Sequence, residues 1–129
     1  MSFILIPIHG EDLQVNAWNW RPTLLLPRDA NLIDETNYEL MDENGCGGHV
    51  DAETSARIAD FLERKLQSMH PGQRIRGDLS LTSKPKKLTV FTPGMKVEDV
   101  DAKEAYSATY EWLVILREFC RTSKGFKVS

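Results

Sequence analysis

The chain has 129 residues, 41% of them hydrophobic and 27% charged, with a formal net charge of −3. That length is one ordinary domain, large enough to bury a core without disulfides or metals, and the composition excludes a largely disordered chain. Charge is divided unevenly: residues 1–70 hold 5 basic and 12 acidic side chains and residues 71–129 hold 11 and 7, net −7 and +4. Halves that complement one another in the fold explain this, and so does an acidic surface facing a basic partner; the first is preferred.

The opening M-S-F-I-L-I-P-I is apolar, but it lacks a basic leader, is broken by Pro7 and is far shorter than a membrane span, so it reads as a strand. His9-Gly10 makes a break, after which Leu13, Val15 and Ala17 alternate with polar residues in a short extended pattern. In N-W-R-P-T, Asn19 caps a helix whose first turn tolerates Pro22, and Pro27 ends the Leu24-Leu25-Leu26 run. A second short helix follows Asp34, uses Tyr38, Leu40 and Met41, and stops at Asn44-Gly45.

Residues 51–69 read as a long helix capped by Asp51, with Glu53 at the positive end of its dipole. Ile58, Phe61, Leu62, Leu66 and Met69 form its apolar stripe, and Pro71-Gly72 terminates it. From Leu79 to Phe91 apolar residues are interrupted by Ser83-Lys84-Pro85 and followed by Pro93-Gly94, which suggests a hairpin or ragged loop. The last helix is expected to start at Ser107 as N-cap, with Tyr106 folding back as an apolar staple. Trp112, Leu113, Leu116, Phe119 and Cys120 keep the rhythm of one helical face, and Glu111, Glu118 and Arg121 lie opposite. Gly125 supplies the left-handed residue that closes the helix, Phe126 packs back on it, and Val114 on the outer side marks a contact surface.

Chemistry-bearing residues are few. Cys46 and His49 in G-C-G-G-H stand three apart, a spacing that permits a metal ligand pair or a nucleophile with its base. A structural zinc site needs four ligands, and His9, His70 and Cys120 are isolated singles. The preferred reading of the run is a glycine-rich turn joining two helices. It lacks the preceding strand and the following lysine and hydroxyl of a P-loop. Trp18, Trp20 and Arg21 can form a stacking platform, although tryptophans of a small domain are more often packing residues. Lys84, Lys86 and Lys87, near Arg74 and Arg76, read as a solvated loop, and Arg76-Gly77-Asp78 as a turn. Cys46 and Cys120 are expected as free thiols in a reducing cytoplasm.

N-W-R-P-T at residues 19–23, the N-G-C-G-G turn, the D-A-E-T-S-A-R-I-A-D-F-L helix and Y-E-W-L followed by R-E-F-C-R-T-S-K-G-F are together distinctive. Over roughly residues 15–128 the chain resembles a family of small bacterial proteins to which no activity, cofactor or catalytic residue is assigned. The resemblance implies a compact bacterial domain and carries no site residue across.

These readings predict an α+β fold, residues 1–129 as a single helix-dominated domain with a small β element built from the N-terminal segment and the 79–91 region. The function expected is that of a non-catalytic protein-binding domain, of the immunity or antitoxin kind, facing a partner with a basic surface. Its contact residues would be Asp34, Glu35, Asp42 and Glu43 with Trp18, Trp20 and Arg21. The alternative is a small thiol-dependent hydrolase or transferase using Cys46 and His49. No cofactor, metal, membrane or nucleic acid is called for, and metal or nucleic-acid binding is the weaker third reading.

Overall fold

The computed structural model describes residues 2–42, 47–83 and 106–129. Strands β1 (Ser2–Pro7) and β2 (Leu13–Asn16) form an antiparallel hairpin around the expected His9-Gly10 break, with Phe3 opposite Val15 and Leu5 opposite Leu13. Alternation decides the faces: Phe3, Leu5 and Val15 are buried, while Ile4 and Gln14 point outward.

Asn16 ends β2 and caps helix α1 (Ala17–Asp29), its side chain accepting from the Asn19 N–H at 2.9 Å. The cap therefore lies three residues before the expected Asn19, and the helix runs through both Pro22 and Pro27. An interior proline costs about 3 kcal/mol. Burial of Trp20, Leu24 and Leu26, each worth about 2 kcal/mol, together with the two buried proline rings, offsets that cost. The Thr23 hydroxyl also donates to the Asn19 carbonyl at 2.6 Å. Asn31, in the left-handed region at φ 57°, turns the chain out of the helix. Helix α2 (Glu35–Asp42) follows, capped by Asp34, which accepts from the Asn37 N–H at 2.7 Å.

Strand β3 (His49–Val50) leads into α3 (Ala52–Gln67), capped as expected by Asp51, whose carboxylate accepts from the Thr54 N–H at 2.7 Å. Strands β4 (Arg74–Arg76), β5 (Leu81–Thr82) and β6 (Ser107–Thr109) make an antiparallel sheet in the order β5-β4-β6. The final helix is α4 (Tyr110–Thr122). Thr109, rather than Ser107, is its N-cap: Ser107 is buried within β6 and accepts from Arg74. The backbone stays extended two residues longer than expected because β6 pairs with β4.

Trp112, Leu113, Leu116 and Cys120 of α4 pack with Ile58, Leu62 and Leu66 of α3 in the core, which confirms both apolar stripes. The Ser55 hydroxyl ties the two helices by donating to the Cys120 carbonyl at 2.7 Å. Val114, expected on the outer side, is half-buried against the core; Ile115, 52% exposed, faces outward instead.

At the C-terminal end Gly125 adopts φ +104°, and Phe126 packs edge-on against Phe119. The chain then forms β7 (Phe126–Val128), which lies between β1 and β3 in a sheet of order β2-β1-β7-β3. This corrects the expected sheet. The N-terminal strands pair with the C-terminal one, and the hairpin after α3 belongs to the separate β5-β4-β6 sheet. Of the expected 79–91 hairpin, residues beyond 83 lie outside the described residues. The result is a single small α+β domain.

Candidate functional site

Around the glycine-rich turn, Gly47 and Gly48 lie among the described residues and Cys46 does not. Gly47 takes φ +78°, and a Cβ on Gly48 would collide with Met41, so both glycines are required by the path of the chain. His49 stands exposed on β3, held by its backbone. The Asn37 side chain donates to its carbonyl at 2.7 Å and accepts from its N–H at 3.1 Å. Asn37 thus clasps α2 to β3, a role for which its sequence position gave no signal.

The acidic residues are engaged inside the chain. Asp34 caps α2, Glu35 takes both Nε and Nη2 of Arg28 at 2.9 Å, and Asp42 approaches Arg21 at 3.7 Å. Glu43 lies outside the described residues. Arg28 also stacks on Tyr38, 4.4 Å from the ring centre. Burial raises the Tyr38 hydroxyl above its ordinary value, with Asp42 adding in the same direction. These pairs join α1 to α2, both within the acidic half of the chain, so the cluster is largely a helix-to-helix seam; charge complementarity between the two halves is seen at Glu63, which pairs with Arg117 at 2.9 Å and Arg121 at 3.1 Å.

The two tryptophans separate. Trp20 is 1% exposed, and its indole N–H donates to the Met41 carbonyl at 3.0 Å, which makes it a core residue and removes it from any stacking platform. Trp18 is 45% exposed and lies against Tyr106, with ring centres 4.4 Å apart. Tyr106 was expected to staple the last helix; it reaches across to α1 because the strand β6 beside it pairs with the hairpin instead of entering the helix.

Trp18, Arg21 and Leu25 follow at three- and four-residue spacing on α1 and therefore share a face. Arg21, Pro22 and Leu25 line an open groove of about 360 Å³ with Tyr38, Asp42, Gly77 and Tyr106. A second hollow of about 470 Å³ shares Leu25 and Gly77 with it and continues past Arg28, Asp29 and Asn31 at the α1 end to Asp78 and Leu79 of the hairpin turn. Leu79 holds φ +70°, where a bulky residue costs about 1 to 2 kcal/mol. Its half-buried side chain packs on the core, and its N–H bonds the Arg76 carbonyl at 2.9 Å. Arg76-Gly77-Asp78 is thus the turn it was expected to be. Leu25, Tyr38 and Tyr106 were missed as groove residues. The α1 spacing pointed to Leu25, but Tyr106 lies far along the chain and carried no signal.

Arg74, expected near a solvated basic loop, is 2% exposed and donates to the Ser107 hydroxyl at 3.0 Å. Lys84, Lys86 and Lys87 lie outside the described residues. Cys120 is a buried free thiol pushed up to about 12 by desolvation, far from the thiolate a nucleophile needs. His9 and His70 are exposed, and their backbone N–H groups donate to the Ser123 carbonyl at 2.9 Å and to the Gln73 side-chain oxygen at 2.8 Å. Among the described residues no cluster of three or more His, Cys, Asp or Glu is placed to hold a metal, and no helix is long and apolar enough to cross a membrane.

No family model matches this chain, and no curated protein or solved structure matches it either.

Proposed function

We propose that the chain is a non-catalytic domain of the bacterial cytoplasm that binds another protein, in the manner of an immunity or antitoxin-like partner. The observation that supports it is Trp18: a large aromatic ring left 45% exposed and backed by Tyr106, which itself lines an open groove. Tryptophan and arginine are the residues that most often anchor protein interfaces, and Trp18 and Arg21 stand one helical turn apart. The contact surface therefore moves from the acid cluster, engaged within the chain, to the Trp18 face of α1.

The test is capture from the native cell with the full chain as bait, beside Trp18→Ala. A stoichiometric partner held by the parent and lost from the variant is the expected result. No partner, or a partner held equally by the variant, would remove the proposal.

A further inference from the structure

The sheet of order β2-β1-β7-β3 turns one face to the core through Phe3, Leu5, Val15, Phe126 and Val128. Its other face carries isoleucines at alternate positions along β1 and just past its end. Ile4 is 40% exposed, Ile6 is half-buried and Ile8 is 77% exposed. Isolated surface apolar residues are ordinary, but a line of them on one sheet face marks a contact surface.

The two sides of this stripe differ in charge. Where β1 pairs with β7, Ile6 stands beside Lys127, and His49 of β3 follows in the same row. On the other side β1 pairs with β2 as far as Leu5 and Leu13, and the next position of that register sets Asp12 opposite Ile6. Asp12 and Lys127 are both exposed. They flank one strand and stand two strand spacings apart, about 9.6 Å, too far to pair with each other. Among the described residues neither enters an ion pair. The row therefore reads acid, isoleucine, base, histidine.

Such a row complements itself. A second copy turned about a two-fold axis along β1 brings its sheet face to face with the first, in the aligned packing that sheets favour. Ile4, Ile6 and Ile8 then meet their own counterparts, and Asp12 of each copy falls on Lys127 of the other. An axis across the strands at Ile6 would set Asp12 on Asp12 and Lys127 on Lys127, so charge selects the first arrangement.

We propose that this face is the interface of a homodimer, two copies of the chain packed sheet on sheet about a two-fold axis along β1. The face spans about 19 Å across its strands and about 23 Å from Ser2 to Ile8, roughly 400 Å² per copy. The total, about 800 Å², lies below that of a stable dimer, so association is weak, with a dissociation constant of about 100 μM. This surface is separate from Trp18, and the dimer does not depend on the protein-binding reading.

The test is sedimentation equilibrium of the full chain from about 10 μM to about 1 mM, with a monomer giving way to a dimer as the expected result. Ile8→Asp, at the most exposed position, is expected to weaken the dimer at least about tenfold and leave the melting temperature unchanged. Asp12→Lys alone is expected to weaken it about tenfold, since lysine then faces lysine, and Asp12→Lys with Lys127→Asp to restore it. A chain that stays monomeric to about 1 mM would overturn the inference. So would a dimer indifferent to Ile8→Asp, which would form elsewhere, or one indifferent to Asp12→Lys, which would exclude the axis along β1. A monomeric chain whose cellular partner is lost with Ile8→Asp would give the face to another protein and overturn the homodimer.

Discussion

The indole N–H of Trp112 donates to the Thr23 hydroxyl at 2.9 Å, joining two buried side chains 89 residues apart. That hydroxyl donates in turn to the Asn19 carbonyl, whose usual N–H partner is the Thr23 backbone itself. The Asn19 side chain closes the circuit by accepting from the Thr109 N–H at 3.2 Å. One threonine therefore links a proline-containing helix to the last helix of the domain.

Thr23→Val keeps the shape and removes both hydrogen bonds, leaving the buried indole N–H without its acceptor. The expected loss is about 1 to 3 kcal/mol, read from urea unfolding midpoints with an unchanged slope. Thr23→Ser restores the hydroxyl and should recover part of it. A valine variant as stable as the parent would show the bond to be energetically idle.

The two tryptophans of α1 should respond very differently to truncation. Trp20→Ala empties the core and deprives the Met41 carbonyl of its donor, for an expected loss of about 3 to 5 kcal/mol. Trp18→Ala forfeits little beyond its stacking on Tyr106, about 0.5 to 1.5 kcal/mol, and should stay folded. Thermal melts of both variants check the contrast.

Gly125→Ala meets two obstacles at once. Its φ is +104°, and an added Cβ would stand 2.8 Å from the Val50 carbonyl oxygen. Since Val50 pairs with Phe126 across the β3–β7 junction, the clash falls on the ladder that anchors the last strand. A loss of about 1 to 3 kcal/mol is expected, with faster amide exchange in β7 before the helices are affected. Unchanged exchange at Phe126 and Val128 would contradict this.

The hydrogen bond from the Thr54 backbone N–H holds the Asp51 carboxyl below its ordinary value. A folded-state value lower than the unfolded one means stability that is present above the unfolded value and lost as the pH falls through the folded one. Asp51→Asn preserves the cap without a titrating group. The melting temperature of the variant should therefore fall less steeply than that of the parent below about pH 4. Asp78, lowered by its bonds from Ser80, contributes in the same direction and keeps some slope in the variant. Parallel curves would exclude a titrating cap.

Periodicity and capping chemistry are local, and where they ruled, the residues alone told the structure. The stripe from Ile58 to Leu66, the Asp51 cap, the break at Gly10 and the left-handed Gly125 were all legible, because each is set within a few residues. Partners distant along the chain decided the rest. Ser107 reads as a good helix cap, yet β4 draws it into a sheet. Phe126 reads as a cap contact, yet β1 and β3 hold it as a strand between them. Pro27 reads as a stop, yet burial outweighs the lost backbone bond. The same limit applies to the site. Trp18 and Trp20 are chemically identical in the sequence, and only packing buries one and leaves the other exposed. Arg21, Tyr38, Gly77 and Tyr106 become neighbours only because α1 packs beside the second sheet, a choice made by summed core burial rather than by any residue's own preference.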